Sequence, residues 1–201
     1  MSVSAGDVKN LRDRTGAGMM DCKAALAEAE GDMDRAIEIL RVKGQASAAK
    51  REGRGTEEGV VSAYIHANDQ VGAMVEVQCE TDFVARGDEF KAFAYQVALH
   101  VAATGARYVS ADEIPEDERE SERRVLEEAA REEGKPEDRI SQIIDGQLAK
   151  WAKEITLLDQ DHVNVDKHEG KSIEELRQEL AAKTGENVRI ARFAYFRVGE
   201  E

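Results

Sequence analysis

The sequence predicts an α+β fold: a small all-helical N-terminal module, then a three-stranded antiparallel sheet covered by helices, with a projecting helical hairpin. Three observations predict it. Apolar residues recur at helical spacing through the first fifty or so positions. Around residues 60–79 the period changes to two, on either side of a short polar turn. The same alternation returns near the C-terminus, after a long charged stretch whose apolar residues again lie at helical spacing.

Residues 1–53 read as the helical module. Val8 and Leu11 begin an apolar face that ends at Thr15-Gly16, and Met19, Cys22, Leu26 and Ala29 make the face of a second helix. Gly31 stops that helix. Asp32 is a suitable N-cap for a third, and Asp34 falls in the first turn, where the helix dipole favours negative charge. Ala36, Ile37 and Leu40 form the third stripe. Three short helices of this size resemble the ubiquitin-associated type of bundle. Past Gly44 the residues become small and basic, then Gly53-Arg54-Gly55 follows, which reads as a helical linker ending in a flexible joint.

Residues 54–201 read as a sheet-plus-helix core. Val61, Ala63 and Ile65 alternate with Ser62, Tyr64 and His66; Asn68-Asp69-Gln70 is turn chemistry; then Val71, Ala73, Val75, Val77 and Cys79 share one face. This is a β-hairpin with a buried face, and the apolar set of each strand is expected on it. Asp88 is a suitable N-cap for a covering helix carrying Phe90, Phe93, Ala94, Val97 and Val101. Residues 188–198, rich in β-branched and aromatic side chains, are expected as the third strand. Between them, at about 115–151, two charged helices joined at Gly134-Lys135-Pro136 form the hairpin. One seam runs through Val125, Leu126 and Ala129, the other through Ile140, Ile143, Ile144, Leu148 and Trp151, with Glu137 and Asp138 opening the second helix.

Composition narrows the function. The 201 residues carry a formal net charge of −14, which repels phosphate backbones and argues against direct nucleic-acid binding. No apolar run approaches membrane-spanning length, and no secretory signal is evident at the N-terminus. Cys22 and Cys79 are too few for a disulfide scaffold and are expected as reduced, buried thiols. A cytoplasmic location follows from these absences. No catalytic constellation emerges either. The Gly16-Ala17-Gly18 stretch lacks the remaining elements of a phosphate-binding loop, and His66, His100, His162 and His168 have no zinc-type pairing. No catalytic residue, metal or cofactor is expected.

Two features exceed what folding needs. Met19 and Met20 are adjacent at the start of a helix and lie about 100° apart around it, so one of them is expected at the surface beside Lys23, either partly covered or as a contact patch. Thr81-Asp82-Phe83-Val84 follows the second strand, where Thr81 or Asp82 can cap a short turn with Phe83 at its tip. That ring either folds back on the core or is held out for a partner, as buried aromatics dominate binding hot spots.

These motifs are recognisable together. Val8-Lys-x-Leu11-Arg-x-x-Thr15-Gly-Ala-Gly-Met-Met-Asp-Cys-Lys23-x-Ala-Leu26 resembles the N-terminal signature of the elongation factor Ts family, and Cys79-Glu-Thr-Asp-Phe-Val-Ala-Arg86 resembles its second signature. His100-Val-Ala-Ala103, Gly134-Lys-Pro136 and the Leu157-Leu158 region match in order, so the resemblance covers almost the whole chain. It implies a guanine nucleotide exchange factor for elongation factor Tu, not an enzyme, acting on the GDP-bound and nucleotide-free partner. Thr81, Asp82, Phe83 and Val84 would form the loop that dislocates the partner's Mg²⁺. Phe83 would enter a pocket near its switch II helix, and Asp82 would assist. Met19, Met20 and Lys23 would touch the partner from the N-terminal module, and His100 would contribute to the core's contact. The chain holds one sheet-plus-helix unit where the commoner family form holds two. That leaves an incomplete sheet edge, which a second copy could cover in a homodimer. The alternative is an adaptor that binds a partner helix without affecting nucleotide. An RNA-binding role would rest only on Lys43, Lys50, Arg51 and Arg54, against the overall acidity.

Overall fold

Helix caps and left-handed glycines divide the chain as follows. The computed structural model describes residues 3–200, apart from the side chains of Gln45, Glu137 and Asp138; the acidic first turn expected at the last two therefore lies outside the described residues. In order come α1 (Ala5–Thr15), α2 (Met19–Glu28), α3 (Met33–Ala49), β1 (Glu58–Ile65), β2 (Val71–Cys79), α4 (Asp82–Ala85) and α5 (Asp88–Thr104). After a 3₁₀ turn (Ala111–Glu113) follow α6 (Glu116–Glu132), α7 (Glu137–Ile155), α8 (Val165–His168), α9 (Ile173–Thr184) and β3 (Arg189–Arg197). The strands form one antiparallel sheet in the order β1-β2-β3, the expected α+β fold. Chain contacts gather into two compact units: Met1–Val61 with Glu76–Ala94 and Glu175–Ile190, and Ser62–Val75 with Tyr95–Glu174 and Ala191–Glu201.

In the first unit, Ser4 and Asp7 form a reciprocal capping box at the start of α1, and Gly16 ends the helix in the left-handed region, at φ 68°. Asp32 caps α3 by accepting the Arg35 N–H at 3.0 Å. Val8, Leu11, Cys22, Ala25, Leu26, Ala29 and Ala36 make a continuous core, with Ile37 and Leu40 packed against it. Met19, expected on that apolar face, is 47% exposed instead, while Ala25 joins the buried residues. The stretch after Gly44 is helical, as expected. α3 continues through it to Ala49, because small residues let the helix approach α9 closely. A Cβ at Gly44 would lie 3.3 Å from that of Ala182, Ala48 is buried, and the Arg51 guanidinium donates to the Ala181 carbonyl. The joint beyond is pinned: the buried Asn187 donates its amide to the carbonyls of Glu52 and Arg54, at 3.3 and 3.0 Å.

In the second unit, β1 presents the opposite face from the one expected. Tyr64 is half-buried, its ring 5.9 Å from that of Tyr95 on α5, while Ala63 and Ile65 are exposed. Val61, in the first unit, is exposed too. α5 covers one face only, and the long tyrosine side chain of β1 reaches that helix. The β2 expectation holds, with Ala73 and Val75 buried. Hydrogen bonds from His66 N–H to the Val71 carbonyl and from Val198 N–H to the Gln70 carbonyl fix the register of both strand pairs. Ala63, Ile65, Met74, Ala194 and Phe196 therefore share the open face.

The helical hairpin is as expected, with its seam moved by one position. Leu126 and Ala130 of α6 meet Ile140, Ile144 and Leu148 of α7, whereas Val125 and Ala129 are exposed. Gly134 supplies the positive φ, and Lys135 N–H bonds back to the Ala130 carbonyl in the 6→1 pattern of a Schellman turn. Pro136 takes the N-cap position, one residue before the first helical residue. Among the described residues no helix is long and apolar enough to cross a membrane.

Candidate partner-binding site

The turn after β2 is built from its backbone outward. Cys79 closes the strand with its thiol buried, donating to the Thr81 carbonyl at 3.3 Å. Burial, aided by the nearby Glu186 charge, pushes that thiol up to about 11. At neutral pH it is a proton donor and a poor nucleophile. Thr81 is the N-cap of α4 and accepts the Val84 N–H on its hydroxyl. α4 is a single turn, and it lifts Phe83 away from the protein: the ring is 85% exposed. Of the two conformations open to Phe83 from sequence, the structure has the ring held out. Asp82 points outward and pairs with Arg86 one turn on, at 2.9 Å. Beside Phe83 runs a shallow groove lined by Val84, Gly87, Phe90, Lys183, Thr184 and Glu186.

The remaining residues singled out in the first unit sit at the start of α2. Met20 is 73% exposed, Met19 is exposed beside it, and Lys23 lies one turn on, also at the surface. Both methionines are outside the core, where one had been expected inside. Gly18 precedes them as an N-cap without a side chain, and a Cβ there would come within 2.8 Å of the Asp21 carboxylate.

His100, in the second unit, is wholly buried. Its Nδ1 accepts the Val163 N–H at 3.1 Å, so the proton sits on Nε2, which donates to Gln160 Oε1 at 2.8 Å. Gln160 is oriented in turn by donating to the Glu154 carbonyl. His162 repeats the device, accepting the Asn164 N–H on Nδ1 and donating to the Gln96 carbonyl from Nε2. Its ring lies 5.4 Å from that of His100 and 4.1 Å from that of His168. Burial holds both imidazoles neutral. The His100 pKa is lowered, and that of His162 falls to about 4, with the His168 charge adding to desolvation. What these histidines hold is the backbone of Val163 and Asn164, leading into α8, with the side chains of Val163 and Val165 facing solvent.

Sequence reasoning missed Glu186, Asn187, Gln160 and His162. Each makes a contact far away in the chain, Glu186 with Thr81 across 105 positions and Gln160 with the His100 ring across 60, and no local pattern marks such a contact.

Comparison with known proteins accords with these motifs. A family profile described as Elongation factor TS matches residues 36–169. Proteins named Elongation factor Ts are similar along nearly the full length. One from Carboxydothermus hydrogenoformans is 50% identical over 198 residues, covering 98% of this chain and 90% of the relative. One from a Thermoanaerobacter species is 48% identical over 198 residues, covering 98% and 96%. One from Thermotoga neapolitana is 47% identical over 201 residues, covering all of both chains. The chain belongs to the elongation factor Ts family.

Proposed function

We propose that this chain is the guanine nucleotide exchange factor for elongation factor Tu, working without catalytic chemistry of its own. The observation that carries the reading is Phe83, an aromatic ring almost fully in solvent on a turn whose backbone is secured. An exposed phenylalanine on a rigid support gains nothing for the fold and is well suited to enter a partner's pocket. By insertion there the Thr81–Val84 loop disturbs the partner's Mg²⁺ and phosphate contacts, and GDP leaves. The physics is linkage: a factor that binds the nucleotide-free partner more tightly than the GDP form weakens GDP by the same ratio.

Residues 1–53 serve as a partner-binding module through Met19, Met20 and Lys23. His100 contributes from inside, by fixing the loop that presents Val163 and Val165. The apolar open face of the sheet in the second unit, with Ile65 63% and Phe196 68% exposed, supports self-association, through that face or through the sheet edge. Sedimentation at rising concentration checks this, and a monomer at every concentration would rule it out. The net charge of −14 supports a protein partner over direct nucleic-acid contact, in the cytoplasm.

The test is release of fluorescent GDP from elongation factor Tu. Catalytic amounts of the chain should accelerate release, and excess free Mg²⁺ should blunt the effect, since ion and factor favour opposite states of one site. Unchanged release at any concentration would sink the exchange reading, and binding without release would leave an adaptor. In the same titration Met20→Asp should raise the half-saturating concentration.

A further inference from the structure

We infer that Glu186 is the positioning residue of the exchange loop, holding the Thr81 turn so that Phe83 is presented in one orientation; this rests on the exchange reading above. Glu186 lies just past Gly185, in the corner between α9 and β3, and is anchored by its neighbours, the buried Asn187 and Val188. Its carboxylate receives three donors from the far side of the loop. One oxygen accepts the backbone N–H groups of Glu80 and Thr81 at 3.0 and 3.1 Å, and the other accepts the Thr81 hydroxyl at 2.6 Å. Charge-assisted bonds of this kind are the strong ones. The connection is reciprocal, because Glu80 reaches back and accepts the Asn187 N–H at 2.6 Å. That bond, with Arg54 nearby, lowers the Glu80 pKa and keeps it an acceptor.

Thr81 is thus secured at every polar group. Its N–H and its hydroxyl proton go to Glu186, its carbonyl accepts the Cys79 thiol, and its hydroxyl oxygen caps Val84. From this fixed residue the single turn of α4 leads to Phe83, two positions on. Once Thr81 is set, the direction of the ring is set, since one helical turn leaves little freedom between them. The core has small need of the arrangement: within α4 only Ala85 is buried. If the clamp is lost, the strand end can bond to water instead, and the main consequence is a turn that wanders.

The experiment compares Glu186→Ala and Glu186→Gln in the GDP-release titration, at a temperature well below the melting transition. Glu186→Ala should lower the maximal release rate about tenfold, as when charged hydrogen bonds that orient a contact group are removed. The half-saturating concentration should stay within about twofold, because the α2 patch still supplies binding energy. Glu186→Gln should retain most of the rate, since its carboxamide oxygen can take both N–H groups. By amide hydrogen exchange, Glu80 and Thr81 should be protected in the wild type and lose protection in Glu186→Ala, while Val75 and Val77 stay protected. A wild-type rate in Glu186→Ala overturns the proposal. So does a Glu186→Gln protein as slow as the alanine variant, which would make the negative charge, not the clamp, the working feature. A wild-type protein without exchange activity would sink the exchange reading and the positioning role with it. Unchanged amide protection in Glu186→Ala would overturn the clamp alone.

Discussion

The Phe83 turn and the His100 loop solve opposite problems with the same tools. At the turn, an apolar side chain stands in solvent and the backbone beneath it is secured by Glu186 and Cys79. At the loop, polar rings lie inside and spend their hydrogen bonds on the backbone of Val163 and Asn164. In the first case the singled-out residue is the one displayed; in the second it is the one that does the holding. A residue's place in a family motif therefore does not say whether its side chain is displayed or does the holding. Burial and hydrogen-bond direction do.

The largest effect that would test this contrast is on stability, at the buried end. His100→Ala should destabilise the protein by about 3–5 kcal/mol, because it leaves a cavity and deprives the Val163 N–H and the Gln160 amide of their partner. Denaturant unfolding measures it. A near-neutral change would mean that His100 is not the support its position indicates, and would return it to a direct contact role.

The next effect is on pH dependence. His162 has a folded pKa held down to about 4, below the ordinary histidine value of 6.5. Above about pH 6.5 both folded and unfolded forms are neutral and the ring contributes no slope. As pH falls from there toward 4, only the unfolded chain takes up the proton, so stability should decline over that window. His162→Gln should flatten the upper part of the limb. A limb unchanged in that variant would place the acid sensitivity elsewhere.

Phe83→Ala should show the smallest stability change and a clear functional one. Its unfolding free energy should move by no more than about 0.5 kcal/mol, as for other surface sites. The catalysed GDP release should fall roughly a hundredfold, the scale of an interface hot spot. A lowered melt with normal release per folded molecule would erase the distinction between the two regions.

Much of this architecture is local and was readable as such. Gly16 marks the end of α1, Asp32 marks the start of α3, the polar turn marks the hairpin, and Gly134 marks the junction of α6 and α7. β1 was misread because both of its faces carry apolar residues. Val60 and Tyr64 compete with Val61 and Ile65, and only the position of α5 decides between them. The α6 seam slipped for a similar reason: Val125 and Leu126 are adjacent, and either suits a helical stripe until α7 is in place. At the candidate site, the displayed residues Met20 and Phe83 were legible as surplus to folding. The support beneath Phe83 was not, because Glu186 and Asn187 act across gaps that no periodicity spans.

The secured Thr81 turn has a kinetic consequence. A loop that must find its bound shape after encounter slows association, whereas one already set lets two surfaces dock as near-rigid bodies. Because the order in this turn is imposed when the chain folds, little of it remains to be imposed when a partner arrives. Association should then fall in the ordinary range for preorganised proteins, about 10⁵–10⁷ M⁻¹s⁻¹. On the proposed exchange reading, each arrival would bring the Phe83 ring to the partner in the same pose, and the fraction of encounters ending in nucleotide release would be governed by the partner's pocket rather than by a search within this chain.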